Sequence, residues 1–336
     1  MLGKLKVLIL VSVLIVLSSI MLRAEGKVSG VIFGDYYYVG ANHREADLEG
    51  RNGFWIRRVY FTYDNLLDEK NKIRFRMEFN QNGDFVTKGK ITPYIKDAFF
   101  QRMFNKRDSI IIGISAPPTY DVIEEIWGYR DIEKPALDLQ KIRDSRDFGV
   151  AFKGKKDKIS YHLFLGNGSG TDVELDKGKA FYAAVGYELP KNFFIQAYGD
   201  YDYKDADNSS YVMQIFLAYK GSIFRIGAHY SYSSFEAKGA NYRQDIASVF
   251  AIYKINDKSD FILRYDAMLY PNPKGESISY LPFSAKADSN LVIAGISFAP
   301  HKSIKFSPNI KYIFYSDKIE DVKSDLYVNL TFTFYF

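Results

Sequence analysis

The last eleven residues, LYVNLTFTFYF, alternate without a break. Leu326, Val328, Leu330, Phe332, Phe334 and Phe336 fall on one side. Tyr327, Asn329, Thr331, Thr333 and Tyr335 fall on the other. A period of two marks a strand with two unlike faces. The pattern recurs along the chain. KISYHLFLG places Ile159, Tyr161, Leu163 and Leu165 on one face, and SYVMQIFLAYK does the same with Tyr211, Met213, Ile215, Leu217 and Tyr219. KAFYAAVGYEL and DFILRYDAML repeat it. About sixteen such segments can be counted, the first near Lys27 and the last near Lys323.

The connections alternate in length. NKRDS, KGKKD, LPKN, YKGS, INDK and APHK are short, while 40–52, 166–177 and 270–288 are long. Strands with one apolar face, joined by short turns at one end and longer loops at the other, predict an all-β fold. The specific form is a transmembrane antiparallel barrel of about sixteen strands. A soluble β-protein with an aromatic core gives no reason for connection lengths to stay in phase. Inside a bilayer the apolar face meets lipid, and the last strand closes on the first so that no edge is left.

The amino terminus departs from this pattern. Lys4 and Lys6 precede an apolar run, Val7 to Met21, and Leu22 and Ala24 stand where a signal peptidase reads. The run is shorter than the ~20 residues of a membrane-spanning helix. Residues 1–24 therefore read as a secretory signal peptide and 25–336 as the barrel. Removing Lys4, Lys6 and Arg23 leaves 42 basic residues against 40 acidic ones. So balanced a chain implies no nucleic-acid partner. It has 27 Tyr and 27 Phe but no Cys, which excludes a disulfide scaffold or a cysteine-bound metal. His43, His162, His229 and His301 show no metal-ligand spacing. GNGSG (166–170) lacks the Lys of a phosphate loop and has Asn167 where a nucleophile elbow needs Gly, so it reads as a loop tip. No cofactor and no enzymatic step are expected. A barrel enzyme or a structural or adhesive barrel remains the alternative to a channel.

Parity assigns the polar face. In KIRFRMEFN, Ile73, Phe75, Met77 and Phe79 face lipid, so Arg74, Arg76 and Glu78 point inward. Arg58, Arg225, His229, Arg264, Asp266, Lys305 and Lys311 are inward by the same argument. A single bulge would reverse any of these, and Pro308 invites one. The strands near Lys27 and Lys90 are ambiguous.

The longest connection runs from 117 to 144 and is not featureless. Asp121 and Glu124 resemble a capping box, and Ile123, Ile126 and Trp127 share one helical face. A short helix with an apolar side is expected. The loop carries seven acidic and four basic residues, a net charge of −3.

Two stretches carry a family resemblance. GRNGFWIRRVYFTYDNLLDEKNKIRFRMEFN (50–80) resembles the amino-terminal strands of the phosphate-selective porin family, porins O and P of bacterial outer membranes. EKPALDLQKIRDSRDFGVAFKG (133–154) resembles that family's segment after its constriction loop. The resemblance covers the first half of the chain, the second half matching only as generic barrel. It implies a bacterial outer-membrane porin that assembles as a homotrimer in outer-membrane lipid. Such a porin passes small hydrophilic solutes or anions, phosphate among them. It also implies that the third outer loop folds inward and narrows the lumen, bringing Asp121, Glu124, Glu125, Trp127 and Arg130 to the constriction. The bland reading of 117–144 is a surface loop. If the loop does fold in, its carboxylates are expected to face Arg58, Arg74 and Arg76 and set a transverse field rather than a filter of one sign.

Overall fold

The computed structural model describes residues 26–81, 83–316 and 322–336, so the proposed signal peptide lies outside it. The strands are β1 Lys27–Ala41, β2 Asn52–Leu66, β3 Asn71–Asn80, β4 Thr92–Met103, β5 Ser109–Ser115 and β6 Asp147–Lys156. They continue with β7 Ile159–Gly166, β8 Lys179–Glu188, β9 Phe193–Asp205, β10 Asn208–Lys220, β11 Phe224–Ala237 and β12 Ala240–Arg243. The last are β13 Ile246–Asn256, β14 Ser259–Met268, β15 Asp288–His301, β16 Ile304–Ser316 and β17 Asp325–Tyr335. Each pairs antiparallel with its neighbour, and β17 returns to β1. The short β12 extends the hairpin with β11, while β13 takes over the lower part of β11, so the two together make one barrel strand. The result is a closed antiparallel barrel of sixteen strands.

Closure explains the aromatic end of the chain. Phe336 N–H donates to the Gly30 carbonyl at 3.1 Å, and Gly30 N–H donates to the Phe336 carbonyl at 2.8 Å. The Phe336 ring lies over Gly30, where a Cβ would sit 2.0 Å from its Cζ atom. The terminal residue is thus the last rung of the ladder, and glycine opposite it makes room for the ring.

Outward faces carry the apolar side chains that alternation assigned to them. Met213, Ile215, Leu217, Leu163, Leu165 and Val185 are all exposed. A continuous apolar surface of this kind suits hydrocarbon, not water. At the other parity the side chains are buried, but they are not uniformly polar. Phe164, Val212, Phe216, Phe250, Ile262 and Ile293 are buried on inner faces. They form one cluster with Ile123, Trp127, Ile132, Leu137 and Leu139 of the long connection. Part of the inner wall therefore belongs to a hydrophobic core rather than to a water-facing lining.

Two irregularities change which side chains point in. Between β1 and β2 the register shifts at Phe33/Gly34, and Arg57 and Arg58 are both buried. Between β3 and β4 a shift at Arg76/Met77 does the same for Lys96 and Asp97. The strands left ambiguous by parity are thus the ones adjoining a bulge. Pro308 does not produce the bulge it invites. It pairs with Leu330, and the β15–β16 ladder skips its neighbourhood and resumes in the same register. All six short connections are tight turns, but the outer ends of β9–β10 and β11–β12 are equally tight.

The closure predicts that Gly30→Val displaces the Phe336 ring and that deleting Phe336 removes the last rung. Overpacking of this kind costs about 1–3 kcal/mol. Both variants should refold in lower yield, read as loss of the heat-modifiable compact band on a gel. Normal yield from both would show that the terminal rung is dispensable.

Candidate functional site

The long connection folds into α1 Asp121–Trp127 and α2 Ala136–Leu139. The helix starts one residue earlier than a capping box would place it. Tyr120 is the N-cap, without a side-chain cap, and Asp121 Oδ1 accepts instead from Val122 N–H at 2.8 Å. It ends at Gly128, whose φ of 72° is the left-handed conformation that closes a helix. Ile123, Ile126 and Trp127 are its buried face. Trp127 sits edge-on to Phe250 at 5.2 Å, beneath the Arg264 guanidinium at 5.3 Å. Full burial of such a side chain is worth about 1.5–3 kcal/mol.

Polar contacts fix the rest of the segment against strands around the barrel. Gln214 of β10 donates to the Thr119 carbonyl at 3.0 Å, and Arg225 of β11 donates to that of Trp127 at 3.2 Å. Arg264 of β14 donates to the Lys134 carbonyl, and Arg57 of β2 donates to that of Ile132 at 2.8 Å. Lys305 of β16 holds Asp131 at 2.8 Å, Lys311 of β16 holds Glu133 at 2.7 Å, and Arg143 grips Asp200 of β9. A segment that touches β2, β9, β10, β11, β13, β14 and β16 of a closed barrel occupies its interior. A second outer connection, 269–287, packs on top of it: Asn272 donates to Gln140, and Tyr280 to Glu133 at 2.7 Å.

The charges that sequence reasoning singled out fall into two groups. Arg225, Arg264, Lys305 and Lys311 grip this segment. Arg58, Arg74, Arg76 and Glu78 stand on the β2–β4 wall. The loop acids make no ion pair with Arg58, Arg74 or Arg76. Asp121 lies 3.5 Å from His162, Glu124 pairs with Arg130 at 2.9 Å, and Glu125 is exposed. Asp131 and Glu133 are taken up on the β16 side. The expected opposition of acidic loop and basic wall is therefore replaced by another arrangement.

On the wall, each of three carboxylates is shared by two cations. Asp64 takes Lys72 at 3.0 Å and Arg74 at 2.7 Å. Asp97 takes Arg76 at 3.3 Å and Arg146. Glu78 takes Lys96 at 3.1 Å and Arg58. Arg74, Arg76 and Glu78 are alternate residues of β3, so the three groups rise in steps of about 7 Å. Each group carries one net positive charge. Above them opens a cavity of about 600 Å³, whose lining includes eight basic and four acidic side chains. Arg58, Tyr94 and Lys96 border it from the wall, and Arg130, Lys134 and Asp138 from the inner segment. Burial, aided by Arg58 and Arg130, pushes the Lys134 ammonium down to about 8 although Asp138 opposes the shift.

Lys96, Asp97, Arg146 and Arg57 were missed by parity. Three of them adjoin bulges, and Arg146 precedes its strand. Among the described residues no cluster of His, Asp or Glu could hold a metal ion.

Comparison with known proteins supports the fold. The barrel is similar to an anion-selective porin from Comamonas acidovorans, with a TM-score of 0.68 at 12% identity over 93% of this chain and 100% of that one. It is similar to OmpF of Salmonella typhi, solved in complex with daunomycin, with a TM-score of 0.66 at 12% identity over 94% and 98%. The outer-membrane channel DcaP of Acinetobacter baumannii gives 0.62 at 13% identity over 93% and 97%. No family model and no curated sequence matches the chain.

The anchoring of the inner segment is testable through Glu133. Burial alone would raise its carboxyl, but Lys311 and Arg57 hold it well below the usual carboxylate range. Glu133→Gln leaves Lys311 buried without a counter-charge, a loss of about 3–5 kcal/mol. Residues 117–144 should then become cleavable by protease in the folded barrel, and Lys311→Met in the same chain should restore protection. Full protection in the single variant would show that the pair does not hold the segment.

Proposed function

We propose that the chain is a bacterial outer-membrane porin. It is exported by residues 1–24, assembles as a homotrimer, and lets small hydrophilic solutes diffuse passively with a bias towards anions. The observation that carries the bias is the sharing of Asp64, Asp97 and Glu78 by two cations each. A lone row of arginines would bind an anion and hold it. A carboxylate within each group cancels one of its two charges and orients both donors. That leaves a site attractive enough to enter and weak enough to leave, as conduction requires. Three such sites about 7 Å apart let one anion's arrival loosen the next. The inner segment narrows the passage and supplies Arg130 and Lys134 on its opposite side.

Phosphate fits this wall as one anion among others. The guanidinium groups suit its oxygens, but the wall's own carboxylates already occupy them. The reading requires no covalent step and no cofactor.

Planar-bilayer recording of the refolded protein in a salt gradient tests it. The reversal potential should show anion preference. Arg76→Gln with Lys96→Gln should abolish or invert that preference while leaving conductance within a factor of a few. Because Lys134 loses its charge as pH rises through about 8, anion preference should fall between pH 7 and 9, and the fall should be smaller in Lys134→Gln. All these differences should shrink at 1 M salt, where the screening length is roughly 3 Å. Cation preference in the unaltered protein would overturn the bias. The absence of any conductance would favour a structural or enzymatic barrel.

A further inference from the structure

We infer that the short-turn rim of the barrel carries a binding groove for the headgroup of an anionic phospholipid in the inner leaflet. The groove lies between the turn joining β4 to β5 and the turn joining β6 to β7. It has a volume of about 450 Å³ and is lined by Lys106, Arg107, Lys155, Lys156, Asp108 and Tyr161 among others. The lining carries four cations and one carboxylate, and that carboxylate is engaged by the Tyr161 hydroxyl. Lys155 pairs with Glu188 at 2.7 Å, and Arg107 reaches Asp157 only at 3.8 Å. Lys106 and Lys156 have no carboxylate within ion-pair distance among the described residues and are exposed.

The surface beside the groove identifies the occupant. Phe104 and Phe152 face outward and are 52% and 39% exposed. Phe104 approaches Phe152 at 6.4 Å between ring centres, and Phe152 stacks on Tyr161 at 5.6 Å. An aromatic row thus runs from the lipid-facing wall to the floor of the basic groove. Gly154 leaves the space that the Tyr161 hydroxyl and Asp108 fill, since a Cβ there would lie 2.2 Å from the Asp108 carboxylate. The pairing of an apolar track with a cationic end fits a molecule with acyl chains and an anionic headgroup. A wall glycan or free phosphate would use the cations and leave the phenylalanines bare. Neighbouring turns repeat the motif more weakly: Leu67, Ile223 and Ile255 are exposed beside Lys70, Lys220 and Lys254.

The inference rests on the membrane orientation of the barrel and not on conduction, so its test uses lipid contact alone. Phe104→Trp places a fluorophore at the groove, while Trp55 and Trp127 are buried on the inner side of the wall. The full mature chain is reconstituted into vesicles of brominated phosphatidylglycerol or brominated phosphatidylcholine diluted in unlabelled phosphatidylcholine. Quenching at the groove should be stronger with the glycerol lipid. Near an anionic surface each Lys or Arg is worth about fivefold in association, so Lys106→Gln with Lys156→Gln should cut the preference by roughly tenfold or more. Lys302→Gln, on a distant turn, should leave it unchanged. Three results would overturn the proposal. One is equal quenching by both lipids, and another is a preference untouched in the double variant. The third is loss of preference on adding inorganic phosphate at matched ionic strength, which would assign the groove to the free anion.

Discussion

Backbone polar groups have no partner in hydrocarbon, and an unsatisfied N–H or C=O there costs several kcal/mol. Every strand in the apolar zone must therefore be paired on both sides, and the sheet must close. The mutual bonds between Gly30 and Phe336 complete that closure. Once it is met, the remaining features follow as consequences. The outward face is apolar, and anything irregular is confined to the interior or the water on either side.

The interior creates a second constraint. Sixteen strands enclose more space than their own side chains fill. Here part of that space is closed by a folded segment with a core of its own. Trp127, Ile132, Leu137 and Leu139 meet Phe216, Phe250, Ile262 and Ile293, and the buried ion pairs at Asp131 and Glu133 fix the segment in one position. Apolar burial supplies the adhesion. The ion pairs supply the register, because a buried charge tolerates only the placement that gives it a partner. The segment packs on the wall from β7 round to β16 and is held at β2 by Arg57, while Arg58, Arg74, Arg76 and Glu78 on the β2–β4 wall keep their own charged partners.

On that wall the pairing of one acid with two bases has two effects. It stabilises the arginines in fixed directions, and it limits the net charge of each level to one. The anion-biased channel proposed above would have use for both. The short-turn rim shows a related arrangement on the outside of the barrel, where lysines and phenylalanines sit side by side.

Alternation, with the phased lengths of the connections, determined the fold class and the approximate strand count, because a period of two is a local property of each strand. It also placed Arg74, Arg76 and Glu78 inward, since β3 is regular throughout that stretch. Helical spacing marked Asp121–Trp127 and its buried face. Tertiary structure decided the rest. Both members of the Arg57–Arg58 and Lys96–Asp97 pairs point inward because of register shifts between neighbouring strands, and no single strand records its neighbour's register. The destination of the loop acids depended on which strand cations lay within reach after closure, so a count of loop charges gave the sign but not the direction of the field. One signal was present but hard to read. Phe164, Phe216, Phe250 and Ile262 make strands apolar on both faces, which is what a strand needs when lipid lies on one side and a folded segment on the other.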